Sequence, residues 1–150
     1  MSGLPDAVLF ACNYNRVRSP MAEALFRHFY GARAFVDSCG LKGDPAGEVD
    51  PFVAVVMDEM GLDVGDHRPK SFGHLEDDSF DVVISLTPEA QHRAVELARH
   101  RATDIEYWPT HDPSLAIGSR DAMLAAYREV RDALANAIRQ RFGAPSTFGG

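Results

Sequence analysis

Four short apolar segments recur along the chain, and each has the length of a buried β-strand. Each contains between five and seven residues and is rich in aliphatic or aromatic side chains. Runs of this length that end at turn-forming residues such as Gly40 and Pro109 favour strands over helices. We therefore predict β-strands at residues 7–12, 34–38, 80–86 and 104–108.

The segments between these strands have the apolar spacing of amphipathic helices. Asp50 and Thr87 stand where the N-caps of two such helices are expected. In the last segment, apolar residues recur at steps of three and four: Met123, Tyr127, Val130, Leu134 and Ile138. We predict helices at 19–30, 50–60, 87–100 and from about 119 onward.

The alternation of strands and helices predicts the fold class. In the order βαβαβαβα, consecutive strands lie parallel and helices cover the sheet. We expect an α/β, three-layer fold in which a four-stranded parallel sheet has helices on both faces. Ligands of such folds bind at the carboxyl ends of the strands, and Cys12 ends the first strand.

Length, charge and cysteine usage narrow the class of protein. The 150 residues suit a single domain over 1–150, and the glycine-rich end at 143–150 is predicted to be a flexible tail. The net charge of −7 argues against a nucleic acid or an anionic membrane as partner. Two cysteines provide no disulfide framework, and Met1 to Asp6 lack the features of a signal peptide. We expect a cytoplasmic protein.

The loop from Cys12 to Ser19 carries the strongest chemical signal. It joins a strand to a helix N-terminus, where backbone N–H groups and the helix dipole create positive potential. Cys12 is positioned to act as a nucleophilic thiolate, and Arg18 can clasp a tetrahedral oxyanion while the sulfur attacks it. The other loop residues are expected to surround the substrate: Asn13, Tyr14, Asn15, Arg16, Val17 and Ser19.

Two of these loop residues have a more specific expected role. The Ser19 hydroxyl is expected to donate a hydrogen bond to the Cys12 sulfur, with a plain helix N-cap as the alternative. Asn15 is expected to adopt a positive φ, which asparagine tolerates, and so to support the loop.

Asp112 is the candidate proton donor for the leaving group. It lies with Pro113 in a turn-rich loop after the fourth strand, and that loop also leaves the carboxyl end of the sheet. The alternative is that the Asp-Pro pair only begins a turn, and spacing alone favours neither. The six histidines show no metal-ligand spacing, and Arg18 with the loop N–H groups can neutralise the phosphate charge. We expect neither a metal nor another cofactor.

The motifs resemble those of the low-molecular-weight protein-tyrosine phosphatase family, which includes phosphatase-like arsenate reductases. The resemblance rests on residues 8–12, 18–23, 37–41 and the pair Asp112-Pro113, and it spans nearly the whole chain. It implies that Cys12 is the nucleophile, Arg18 the phosphate clamp and Asp112 the general acid. Ser19 and Asn15 are implied to support the loop.

The chain also departs from the pattern of that family. Tyr14 stands where family members usually have a small residue, and Val17 stands where many have a second cysteine. Ser114 and Leu115 replace an aromatic pair that often follows Asp-Pro in the tyrosine phosphatases. Cys39 is expected to be a small buried residue, with a resolving thiol as the alternative.

The leading functional hypothesis is hydrolysis of a phosphomonoester, with protein phosphotyrosine as the preferred substrate class, through a phosphocysteine on Cys12. The partner is then a phosphorylated protein, or a small phosphoester or other oxyanion. The alternative is an arsenate reductase that uses an external thiol donor, because Cys39 is the only other cysteine. A phosphocarrier and a non-catalytic anion-binding module are further hypotheses, and a hydrolytic acid at Asp112 argues against the carrier.

Overall fold

A four-stranded parallel sheet forms the centre of the computed structural model, which describes residues 4–76 and 79–145. The strands run in the spatial order β2-β1-β3-β4, and every neighbouring pair is parallel. Their bounds are β1 Ala7–Cys12, β2 Phe35–Gly40, β3 Val82–Ser85 and β4 Asp104–Tyr107. The helices of the described residues are α1 Arg18–Tyr30, α2 Pro51–Asp58, α3 Pro88–Ala98 and α4 Arg120–Phe142.

Alternate side chains of β1 pack into two separate cores, one on each face of the sheet. Phe10 and Cys12 belong to the larger core, which also contains residues of α1, α2 and α4. Leu9 and Ala11 belong to a smaller core with Cys39 and residues of α3. Helices therefore cover both faces, and the predicted three-layer α/β fold is confirmed.

The helix starts agree with the capping residues in the sequence. Asp50 Oδ1 accepts a hydrogen bond from the Phe52 amide at 2.8 Å, and Thr87 Oγ1 accepts one from the Ala90 amide at 3.1 Å. Each bond satisfies one of the amide groups that a helix leaves unpaired in its first turn. The two predicted N-caps are confirmed.

The second strand extends further than predicted, to Gly40 rather than residue 38. It pairs with β1 along its full length, with Cys39 opposite Ala11 and Gly40 opposite Cys12. A Cβ atom on Gly40 would lie only 2.7 Å from the Asn15 amide nitrogen. The glycine that indicated the end of the strand instead lets β2 continue directly beneath the Cys12–Ser19 loop.

The other predicted boundaries agree with the observed ones to within two residues, and both ends of β1 agree without any difference. Predicted helix 87–100, for example, ends at Ala98, because Arg99 has an extended ψ of 129° and His100 a φ of 70°. Three short 3₁₀ helices, at Gly31–Arg33, Phe72–His74 and Pro113–Leu115, were not predicted. Helical periodicity does not detect segments of three residues.

Gly143, the first residue of the predicted tail, is hydrogen-bonded to the rest of the protein. Gly143, at φ 99°, ends α4, and its carbonyl accepts a 2.7 Å hydrogen bond from the Tyr30 hydroxyl. Residues 146–150 of the predicted tail lie outside the described residues. Across the described ranges, the structure contains no helix with the length and apolar character needed to span a membrane.

Candidate active site

The loop between β1 and α1 brings a strand end and a helix start together. Cys12 is the last residue of β1, and Arg18 is the first residue of α1. The N-cap position is Val17, whose side chain makes no capping hydrogen bond. Because no side chain caps α1, its first-turn N–H groups and its dipole are available to an anion at this end.

A cavity of about 350 Å³ opens beside this loop. It brings together all three residues that the sequence predicts to be catalytic, although Asp112 is 94 positions from Arg18 in the chain. The cavity is lined by Cys12, Tyr14, Arg16, Val17, Arg18, Asp50, Asp112 and Ser114. Within the described residues, no three His, Cys, Asp or Glu side chains are arranged to hold a metal ion.

The Cys12 sulfur lies in a hydrogen-bonded environment at the base of the cavity. The residue is only 2% exposed, and its Sγ is 2.8 Å from Ser19 Oγ. Asn15 Nδ2 donates to the same Ser19 oxygen at 2.8 Å. The single Ser19 proton can go to the Cys39 carbonyl at 3.3 Å or to the sulfur. Either partner can donate in the Cys12–Ser19 contact while Cys12 is a thiol, and Ser19 must donate when the sulfur is a thiolate. This contact is the one predicted between Ser19 and Cys12.

The Arg18 guanidinium is held by a hydrogen bond to a backbone carbonyl, and its Nε–H donor has no partner among the described residues. Its Nη1 donates to the Thr110 carbonyl at 2.8 Å, and its Nη2 lies 3.8 Å from Asp112 Oδ2. Its Nε is buried and has no hydrogen-bond partner among the described residues. An unpaired buried donor costs free energy, and an oxyanion in the cavity would satisfy it.

One oxygen of the Asp112 carboxyl accepts hydrogen bonds within a turn, and the other lies beside Arg18. Oδ1 accepts hydrogen bonds from the Ser114 amide at 2.9 Å and the Ser114 hydroxyl at 2.6 Å. These bonds cap the 3₁₀ helix at Pro113–Leu115, so the Asp-Pro turn forms as the alternative interpretation expects. Oδ2 stays beside Arg18, and Asp112 lines the cavity. Turn formation and a place in the cavity lining are therefore compatible.

Asn15 holds the loop from within the protein. It is fully buried and has a φ of 57°, which confirms the predicted positive φ. Besides Ser19, its Nδ2 donates to Ser38 Oγ at 2.9 Å, and its Oδ1 accepts from the Lys70 amide at 3.0 Å. Asn13 is held in a similar way, because its Oδ1 accepts from Thr87 Oγ1 at 2.8 Å.

Six of the nine predicted site residues line the cavity, and three do not. Asn13, Asn15 and Ser19 direct their side chains into hydrogen bonds with protein groups instead. Any contact that these three make with substrate therefore comes from the backbone.

Asp50 and Ser114 also line the cavity. The sequence predicts only a helix cap at Asp50, and at Ser114 it shows only that an aromatic residue common in the tyrosine phosphatases is absent. Asp50 Oδ2 accepts a hydrogen bond from the Tyr127 hydroxyl at 3.0 Å. Burial, together with the nearby Asp50 carboxylate, raises the pKa of Tyr127, so this hydroxyl stays protonated. The bond joins α4 to the start of α2 at the cavity wall.

His67 contacts the loop from behind, which the sequence did not indicate. Its Nε2 is 3.0 Å from the Asn15 carbonyl, and because a carbonyl only accepts, Nε2 carries the proton. Burial lowers the pKa of His67, while the bond to Asn15 and the charge of Glu23 oppose that shift. The surrounding His-Arg-Pro-Lys sequence reads as a turn, and it contains no signal for a contact more than 50 residues away.

Residues 7–144 match the family described as low molecular weight phosphotyrosine protein phosphatase. The chain belongs to this family. A low molecular weight protein-tyrosine-phosphatase of Streptomyces coelicolor is 32% identical over 124 residues, which cover 76% of this chain and 74% of that protein. The chain is thus an enzyme of the low-molecular-weight protein-tyrosine phosphatase family, as its motifs predict.

Other similar proteins are named as reductases. A glutaredoxin arsenate reductase of Synechocystis sp. is 34% identical over 79 residues, covering 53% of this chain and only 58% of that protein. A solved structure of an arsenate reductase in the phosphate binding state matches with a TM-score of 0.73 at 27% identity, covering 89% of this chain and 94% of the other. The family thus includes relatives named for both chemistries.

Cys39, the second cysteine of this phosphatase-family chain, lies on the far side of the sheet from Cys12. It packs with Leu9 and Ala11, whereas Cys12 packs in the other core. Both thiols are free, and Cys39 is fully buried. Burial chiefly, and then the neighbouring Cys12, raises the pKa of Cys39 well above its usual range. A buried, protonated thiol is a poor nucleophile, which agrees with the expected packing role.

Proposed function

We propose that this chain hydrolyses phosphomonoesters, with phosphotyrosine in proteins as the substrate class, through a phosphocysteine intermediate on Cys12. The observation that carries the proposal is the convergence of three groups on one cavity. These are the Cys12 sulfur, the Arg18 guanidinium with its unpaired Nε, and the Asp112 carboxyl beside Arg18.

In the first step, the Cys12 thiolate attacks phosphorus and forms an S–P bond while the bond to the ester oxygen breaks. The proton of Asp112 passes to that oxygen, which leaves as an alcohol or phenol. Arg18 Nε and the loop N–H groups hold the non-bridging oxygens as their charge increases. The Ser19 hydroxyl, 2.8 Å from the sulfur, stabilises its anionic form.

In the second step, water attacks the phosphocysteine and gives a proton to the Asp112 carboxylate. The S–P bond breaks, inorganic phosphate is released, and the Cys12 thiolate and protonated Asp112 are restored. The same carboxyl thus acts first as acid and then as base. No cofactor enters either step, because Arg18 and backbone groups supply the neutralising charge.

The remaining loop residues divide into two groups in this proposal. Tyr14, Arg16 and Val17 present side chains to the substrate from the cavity wall. Asn13, Asn15 and Ser19 keep the loop in its binding conformation and contribute backbone groups. The proposal includes a cytoplasmic location, which the two free cysteines support.

Arsenate reduction is the second candidate, because relatives of this chain are named for it. Reduction of arsenate consumes two electrons, which a pair of thiols can supply on oxidation to a disulfide. Cys39 is poorly placed for such a pair, since it lies in the core opposite to that of Cys12. A reductase built on this chain therefore needs an external thiol donor.

A side-by-side turnover assay distinguishes the two chemistries. The purified chain is given an aryl phosphate in one reaction, and arsenate with glutathione or reduced glutaredoxin in the other. We expect steady release of inorganic phosphate in the first reaction and no arsenite above the enzyme-free background in the second. Arsenite formation with no phosphate release would refute the proposed function.

Replacing Cys39 with alanine tests the internal thiol pair directly. We expect the Cys39→Ala variant to keep its phosphatase activity within about twofold, because the thiol is a buried packing group and the smaller side chain removes only one atom. Peroxide is expected to inactivate the variant and the wild type at the same rate. A Cys12–Cys39 disulfide detected by mass spectrometry in the peroxide-treated wild type would contradict this result.

A further inference from the structure

Tyr14 is an exposed aromatic residue on the loop that carries the nucleophile. It is 57% exposed, and of the six large hydrophobic residues that are well exposed in the described ranges, it alone lines the cavity with Cys12. No other aromatic residue is among those that line this cavity. The mouth of the cavity therefore has a single flat apolar surface.

No polar or aromatic contact within the described residues fixes the position of this ring. Across residues 4–76 and 79–145, the Tyr14 side chain has no hydrogen bond, ring contact or cation–π partner. Phe35, which is exposed to a similar 52%, instead stacks on Phe80 with ring centroids 6.1 Å apart. An unpartnered aromatic residue at the mouth of an active-site cavity is suited to contact a ligand.

The loop presents the ring from a rigid support. On one side of it, Asn13 Oδ1 accepts from Thr87 Oγ1 at 2.8 Å, and on the other, Asn15 is fully buried and bonded to Ser19 and Ser38. The backbone that carries Tyr14 is thus ordered before any ligand arrives. Binding against a pre-ordered surface loses less conformational entropy than ordering a mobile one.

The loop that carries Asp112 leaves the rest of the cavity mouth without an aromatic surface. Ser114 is the residue of that loop that lines the cavity with Asp112, and its hydroxyl is already used in a 2.6 Å bond to the Asp112 carboxyl. Leu115, which follows, is 76% exposed and does not line the cavity. Of the residues that line the cavity, Tyr14 alone offers an aromatic ring to a planar leaving group.

We propose that Tyr14 determines substrate specificity by packing against the aryl group of the phosphoester, so that the site prefers aryl over alkyl phosphates. This inference rests on the proposed phosphatase function and adds the residue that selects the leaving group. Offset or edge-to-face contact between two rings contributes binding energy beyond the area that it buries. An alkyl group gains only the buried area.

Binding of non-hydrolysable phosphonates tests this role without involving chemistry. Dissociation constants of benzylphosphonate, cyclohexylmethylphosphonate and methylphosphonate are measured by calorimetry for the wild type, Tyr14→Ala and Tyr14→Phe. We expect the wild type to bind benzylphosphonate about tenfold more tightly than methylphosphonate, a ratio within the range of a ring–ring contact plus buried area. In Tyr14→Ala the ratio is expected to fall to about one or two, and in Tyr14→Phe to persist.

Methylphosphonate, cyclohexylmethylphosphonate and a third variant exclude a purely structural effect. Methylphosphonate binding is expected to stay within about twofold in every variant, and Tyr14→Leu, which keeps apolar bulk, is expected to lose the preference for benzyl over cyclohexylmethyl. Equal weakening of all three phosphonates in Tyr14→Ala would overturn the inference, because Tyr14 would then support the loop. An unchanged ratio, with aryl phosphates still hydrolysed, would refute the inference and leave the proposed function intact. Absence of both phosphonate binding and hydrolysis in the wild type would refute both.

Discussion

The Cys12→Ser variant is expected to lose phosphatase turnover by at least about 10⁴-fold while it still binds inorganic phosphate or vanadate. Serine replaces the sulfur with a smaller oxygen that can still form a hydrogen bond with Ser19 Oγ, which lies 2.8 Å from the sulfur. A hydroxyl at this position is mostly protonated at neutral pH and is a far weaker nucleophile than a thiolate. Arg18 and the loop N–H groups remain to bind the anion.

Turnover is measured with an aryl phosphate, and anion binding is measured by calorimetry with inorganic phosphate. Cys39→Ser is the matched control, because it makes the same chemical change at the other cysteine, and it is expected to keep turnover. More than trace activity in Cys12→Ser would remove Cys12 from the mechanism. Loss of phosphate binding along with turnover would mean that the substitution disrupted the loop, and Cys12→Ala would then test the nucleophile.

The Asp112→Asn variant is expected to hydrolyse phosphoesters about 10² to 10⁴ times more slowly, which is the usual contribution of a general acid. Asparagine caps a helix as well as aspartate does, so the bonds from Ser114 at 2.9 and 2.6 Å have an acceptor in the variant. What the amide cannot do is give a proton to the leaving oxygen. The loss should therefore be largest for alkyl phosphates, whose leaving groups are the most basic.

A series of phosphoesters with leaving groups of different basicity measures this effect. Asp50→Asn is a matched control, because Asp50 also lines the cavity and also caps a helix. In that variant, the dependence of rate on the leaving group is expected to remain as in the wild type. If Asp112→Asn slowed all substrates equally, the carboxyl would have an electrostatic or structural role in place of proton donation.

Local sequence patterns were sufficient to predict the strands, the helices and the nucleophile loop. The Cys12–Ser19 loop could be predicted because its chemistry lies within eight consecutive residues, after an apolar run and before a helix start. The cap role of Asp50 and the positive φ of Asn15 could be predicted for the same reason. Each reflects a preference of the residue type for its local position, a helix N-cap for aspartate and a positive φ for asparagine.

Residues that meet across the chain were harder to predict. Asp112 and its turn were predicted from the position after a strand, the Asp-Pro pair and the family resemblance, while the approach of Asp112 to Arg18 is visible only in the structure. Asp50 at the cavity wall and His67 behind the loop depend on how distant segments pack. No local spacing encodes these contacts, because the path of the chain between the partners determines them.

Cys39 best illustrates the difference between what the sequence indicates and what only the tertiary structure decides. The sequence by itself indicated that a cysteine stands near the end of each of the first two strands, and it predicted the chemistry of the Cys12–Arg18 loop. Only the tertiary structure decided that Cys39 faces the other core, because the register places it opposite Ala11 rather than Cys12. Successive side chains of a strand point to opposite faces, so a shift of one residue separates the two thiols across the sheet.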